Sequence, residues 1–162
     1  PSCQVHTIEE FVDEDNAQAL LGAQPLDGLI DCCDQVRAKA VMAAWGQAHG
    51  VPVVAVGAAG GKVSPHLLEV ADLADVTHDP LLASLRQRWR QRQGGARKGP
   101  MGLTCVFSRE AVRPPQDGVC DTDGSLNCHG YGSSVTVTAT FGMVAAAEMI
   151  NKIIAQQPKS SI

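Results

Sequence analysis

Aromatic side chains are scarce: two Trp, one Tyr and three Phe make up 4% of the 162 residues. The core is therefore expected to be filled by Ala, Val, Leu and Ile, the side chains of close-packed α/β layers. Basic residues are missing before Arg37, where eight of the seventeen acids lie. Acids are missing between Asp79 and Glu110, where Arg86, Arg88, Arg90, Arg92, Arg97, Lys98 and Arg109 fall. A net charge of −4 excludes a uniformly basic nucleic-acid binder, yet this segregation leaves one basic patch. No repeat, low-complexity tract or signal peptide is recognisable, and the chain opens on Pro1 rather than Met, as a piece of a longer protein would.

A nucleotide loop is also missing. Gly57-Ala58-Ala59-Gly60-Gly61-Lys62 has the composition of one, but Val56 stands where a phosphate loop needs Gly and Val63 where it needs Ser or Thr. No G-x-G-x-x-G occurs. The run reads as a glycine turn that reverses the chain or lets backbone approach a ligand. The cysteines (Cys3, Cys32, Cys33, Cys105, Cys120 and Cys128) form no regular disulfide framework, which points to a reducing, cytosolic setting. Cys120, Cys128 and His129 lack the short pairing of a zinc site. Cys105 has no base nominated by spacing and reads as a buried thiol.

The remaining sequence reads as a mixed α/β domain. Residues 3–8 alternate like a short strand, 16–21 form a brief helix ended by Gly22, and 26–32 form a buried strand. Asp34 is placed to cap a helix over 35–49, with Gly50 as its C′ residue. The unbroken apolar run 51–56 completes a βαβ unit. A strand near 67–70 is predicted to be antiparallel. Asp79-Pro80 opens a second helix, whose basic stretch 86–98 surrounds Trp89, a ring suited to stacking on a base. A strand over 103–107 leads into a long 113–132 loop. A last helix runs from Ser133 or Ser134 to about Gln156. Its uncharged part, 135–147, is shorter than the ~18–20 residues of a membrane span and predicts a buried helix.

Two clusters carry chemistry. Asp34 stands at the C-terminal edge of a parallel strand, where open α/β sheets bind ligands, and is either a helix cap or a Mg²⁺ ligand beside a polyphosphate. Lys39, about a turn and a half into the helix, is placed to face the same crevice. The basic stretch is either an RNA-phosphate contact or a solvated helix face.

The run Leu29-Ile30-Asp31-Cys32-Cys33-Asp34-Gln35-Val36-Arg37-Ala38-Lys39 resembles the Asp-x-x-Asp segment of the ubiquitin-activating-like (ThiF/MoeB/HesA) adenylating enzymes. Gly57 to Gly61, Val70 to Ala74, Thr77 to Leu81, Cys105 to Glu110 and Thr138 to Gly142 follow in the order seen in that family's tRNA threonylcarbamoyladenosine dehydratases. The resemblance covers nearly the whole chain. It implies the C-terminal portion of a Rossmann-like ThiF/MoeB-type fold over 1–162, lacking the N-terminal ATP-binding βαβ and so inactive alone. It further implies ATP and Mg²⁺ at Asp34 as the catalytic and metal-binding residue, with Lys39 beside the nucleotide. The implied partners are tRNA, contacted by Arg86, Arg88, Arg90, Arg92, Arg97 and Lys98, a second copy in a homodimer, and a cysteine desulfurase or sulfur-acceptor system. Gln35 departs from the Asn of the thiamine and molybdopterin enzymes, and the paired Cys-x-x-Cys zinc knuckles of those relatives are missing, so no zinc is expected. Cys105 matches a cysteine of the dehydratases. Activation of a ubiquitin-like sulfur carrier, and a non-catalytic dimerisation or binding module, are the alternative readings.

Overall fold

The computed structural model describes residues 2–92, 99–112 and 132–157. Alternation along two buried strands builds three layers. β2 (Val53–Val56) and β4 (Thr104–Ser108) lie side by side and parallel in the middle of a four-stranded sheet of order β1-β2-β4-β3. Val53, Ala55, Cys105 and Phe107 face one side and pack with residues of α2 (Val36–His49) and α3 (Pro80–Arg92). Val54, Val56 and Val106 face the other side, against α4 (Val135–Gln156). Strands covered on both faces need apolar residues at every position, and β2 is buried throughout.

β1 (Leu29–Asp31) pairs in parallel with β2 through Ile30 and Val54, so β1-α2-β2 forms the expected βαβ unit. β3 (Leu68–Asp72) runs antiparallel to β4, also as expected, and follows a short 3₁₀ turn over Pro65–Leu67. Gly50 ends α2 with a left-handed φ of 68°, the conformation for which glycine is favoured there. The short helix α1 (Ala17–Leu21) leans on α2, with the Trp45 indole N–H donating to Gln18 Oε1 at 3.0 Å.

Several expectations change. Residues 3–8 form no strand; Val5 and Ile8 are exposed, and a period-2 pattern becomes a strand only where a sheet edge accepts it. Asp34 is not the helix cap: Gln35 occupies that position in extended backbone, without a side-chain cap. Trp89 is not available for stacking, because at 3% exposure it belongs to the core beneath α3. The last helix is not buried all round. Val137, Phe141, Ala145 and Met149, spaced by four, seat it on the sheet, while Val135, Met143, Ile150 and Ile154 are exposed. At 22 residues it is also long and apolar enough, by length and composition alone, to cross a membrane. The 113–132 loop, with Cys120, Cys128 and His129, lies outside the described residues except for Gly132.

Candidate nucleotide edge and basic helix

The parallel strands β1 and β2 end in a buried ion pair. Asp31 closes β1 and is 2% exposed, and Lys39, from the second turn of α2, is 1% exposed. The Lys39 ammonium donates to Asp31 Oδ2 at 2.9 Å, to Val56 O at 2.7 Å and to Asp31 O at 3.4 Å. Val56 is the last residue of β2, so one side chain ties two strand ends together. These three bonds use the three donors of an ammonium. Lys39 thus reaches the predicted edge, but turned inward. Asp31 Oδ1 accepts from Cys33 N at 3.0 Å and closes the turn that leads into α2. Asp34, one residue further, is exposed and has no hydrogen bond or ion pair among the described residues.

Past Val56 the chain enters a loop held by three more buried side chains. Asp79 Oδ2 accepts from Ala58 N at 2.9 Å, and Asp79 Oδ1 accepts from Leu82 N at 3.0 Å, so the same carboxylate caps α3. The Lys62 ammonium donates to Ala58 O at 2.5 Å and pairs with Asp79 Oδ2 at 3.4 Å, both side chains fully buried. The Phe141 ring centroid lies 5.7 Å from that ammonium, within cation–π range. Glu110 Oε2 accepts from Val63 N at 2.9 Å and Ser64 N at 2.8 Å. Gly57 is required by this closeness: a Cβ there would stand 2.2 Å from Asp79 Oδ2. Residue spacing gives no sign of Lys62, Asp79 and Glu110 as one latch, because they are 17 to 48 positions apart in sequence. The pairing of Asp-Pro with a helix start is the one visible signal.

The thiols near this edge are poor nucleophiles. Burial pushes Cys105 up to about 12, and burial together with the neighbouring Asp31 carboxylate pushes Cys33 up to about 12. Cys32 is also raised, mainly by burial. Thiolate is the reactive form, so none of these is primed at neutral pH.

The basic helix is divided in its duties. Arg86 donates to Val76 O at 2.6 Å and Leu73 O at 3.4 Å, tying α3 to the loop after β3. Arg92 pairs with Glu14 on the helix exterior. Arg88 and Arg90 are half-buried, and each Nε is buried without an acceptor among the described residues. Arg97 and Lys98 lie outside the described residues.

The ThiF family profile matches residues 1–161. The chain belongs to the ThiF family. Among its ThiF relatives is the tRNA threonylcarbamoyladenosine dehydratase of Escherichia coli K12, 37% identical over 167 residues, with 96% of this chain and 62% of that protein aligned. The enzyme of the same description from Haemophilus influenzae is 33% identical, over 95% of this chain and 60% of its own length. A solved structure of E. coli TcdA in complex with ATP superposes with a TM-score of 0.83 at 34% identity, over 99% of this chain and 61% of that one. The AMP complex of the same protein gives 0.82 at 36% identity, over 96% and 59%. The chain therefore spans about three fifths of the length of the ThiF relatives it matches. The mixed sheet with flanking helices is the ThiF-type arrangement of those structures.

Proposed function

We propose that the protein carrying this segment is an ATP-dependent tRNA threonylcarbamoyladenosine dehydratase. It adenylates the carboxylate of the modified nucleoside and closes the activated acyl group into a ring. The observation that carries this reading is the C-terminal edge itself. A free, exposed Asp34 stands beside strand ends and a loop fixed by buried side chains, in a chain whose relatives are named for this reaction and solved with ATP and AMP.

In this reading a carboxylate oxygen attacks the α-phosphorus of ATP and pyrophosphate leaves. The carbamoyl oxygen then attacks the acyl-adenylate, AMP departs with the original carboxylate oxygen, and the net loss is one water. Asp34 is the catalytic and metal-binding residue. Mg²⁺ sites commonly use one or two carboxylates completed by phosphate oxygens and water, and an unpartnered exposed carboxylate fits that need. Asp34 would hold the ion together with phosphate oxygens and water; among the described residues no group of three His, Cys, Asp or Glu could hold a metal. When bound, the ion would neutralise charge on the phosphates. Lys39 acts on this edge by holding Asp31 and Val56 in place.

The segment is proposed to be the C-terminal portion of the ThiF-type unit, with further strands adding at the open side of β1, where Ile30 is 37% exposed. By itself it should not adenylate. A cytoplasmic enzyme without a membrane span suits a tRNA substrate, and the exposed stripe of α4 suits a homodimer contact. The sulfur-carrier reading would call on Cys105 or Cys120; burial pushes the Cys105 thiol up to about 12, and Cys120 lies outside the described residues.

The reading is tested with the full-length protein, ATP and tRNA bearing the modified nucleoside. Nuclease digestion and mass spectrometry should show a nucleoside lighter by one water, with one AMP formed per event. Unchanged nucleoside mass would refute it. For tRNA contact we propose Arg88, Arg90 and Arg92, together with Arg97 and Lys98; Arg86 is engaged in holding the fold. Changing Arg88 and Arg90 to Glu should weaken tRNA binding and flatten its salt dependence by about 0.7–0.9 in log–log slope for every phosphate no longer neutralised. Equal affinity and slope in the variant would remove α3 from the tRNA face.

A further inference from the structure

Two backbone donors are left over at the centre of the latched loop. Of the eight amides from Gly57 to Ser64, six have acceptors: Val106 O for Gly57, Asp79 for Ala58, Gly132 O for Gly61, Ala59 O for Lys62, and Glu110 for Val63 and Ser64. The other two, from the adjacent half-buried residues Ala59 and Gly60, have no acceptor among the described residues. Buried amides are almost always paired, and these two neighbouring donors are the ones left over in an otherwise satisfied loop. The Ala59 side chain packs against the Val56–Phe141 cluster, which fixes the loop from below. Asp79, Lys62 and Glu110 fix it at both ends.

We infer that the Ala59 and Gly60 amides form an oxyanion-binding pair that receives an anionic oxygen of the bound substrate at the C-terminal edge of the sheet. Consecutive backbone N–H groups make concave anion sites, and donors held in place beforehand stabilise developing charge without reorganising. The nearby charges do not supply this attraction, since Lys39 is neutralised by Asp31 and Lys62 by Asp79. Attraction at this point comes from the two amide dipoles. Lys62, Asp79 and Glu110 are then positioning residues. That the oxygen belongs to the carboxylate being activated, rather than to a nucleotide phosphate, rests on the adenylation reading; the anion pair itself does not.

Amide-resolved NMR of the full-length protein tests the pair, with acetate, inorganic phosphate and AMP titrated separately. The amide protons of Ala59 and Gly60 should move downfield and saturate, while those of Ala58 and Val63, already bonded, stay in place. Movement with acetate marks the carboxylate as the source; movement with phosphate or AMP alone marks the nucleotide, and either outcome supports the pair. No saturable movement with any of the three overturns it. Gly60→Pro deletes one donor and Gly60→Ala keeps it, and only the proline variant should bind the responding anion about tenfold or more weakly, the usual worth of one bond to a charged group. Equal binding by both variants overturns the pair. Should Gly60→Pro fail to fold, the wild-type titration remains decisive. Intact shifts in a protein that leaves the nucleoside mass unchanged would refute the dehydratase reading alone.

Discussion

Replacing Asp34 by Ala in the full-length protein should lower the rate of cyclisation by about 100-fold or more, the scale of losing one group that stabilises charge in a transition state. Affinity for tRNA and thermal stability should stay near wild type. Both expectations come from the same observation: the Asp34 carboxylate is exposed and makes no bond within the described fold, so removing it leaves no buried partner stranded. Had Asp34 been the cap of α2, its loss would instead cost about 1 kcal/mol of stability. Rapid-quench measurement of AMP formation, beside a thermal melt, separates the two roles. A variant that melts lower and reacts normally would return Asp34 to a structural duty.

Lys39→Met should have the opposite profile. It strands Asp31, 2% exposed, beside an unsatisfied Val56 carbonyl. Breaking a buried pair by removing one partner costs about 3–5 kcal/mol. For a chain of this size each kcal/mol moves Tm by about 2–4 °C, so the midpoint should fall by roughly 6–20 °C. Asp31→Leu combined with Lys39→Met removes both charges and should recover much of that loss, because the desolvation penalty disappears with the pair. A single variant melting within a degree or two of wild type would show that the pair does not hold the two strand ends. Nucleotide affinity should fall in the single variant because the edge loosens, since Lys39 makes no direct contact with the ligand in this account. Partial recovery of affinity in the double variant distinguishes these routes.

Much of the fold is legible in the sequence because its signals are local. The apolar run at Val53–Val56, the Ala-rich stretch ended by Gly50, and Asp79-Pro80 each mark an element within a few residues. Antiparallel β3 is legible too. Failures come where the deciding contact is distant. Trp89 beside four arginines reads as a nucleic-acid feature until the fold buries it in the core cluster that also holds Leu85 and Leu103. The alternation over residues 3–8 carries no information about whether a neighbouring strand exists to receive it. At α4 the small residues conceal a one-sided helix, since Ala and Gly look equally apolar whether buried or exposed.

The site is half visible. Asp34 and Lys39 fall on the expected edge, but composition cannot say that Lys39 spends its three donors on Asp31 and Val56. The glycine run fails as a phosphate loop by its spacing alone. Its organisation by Asp79 and Glu110 depends on chain crossovers that bring residue 79 to 58 and residue 110 to 63, and no short motif records that.

Isotope tracing follows the carboxylate oxygen through both steps. The full-length protein is given tRNA whose threonylcarbamoyl carboxylate carries ¹⁸O at both oxygens, with unlabelled ATP, and the AMP produced is weighed. Adenylation followed by ring closure predicts one ¹⁸O atom in each AMP, carried over from the carboxylate. Unlabelled AMP accompanying cyclised nucleoside, or cyclisation with ADP as the product, would rule out adenylation of the carboxylate.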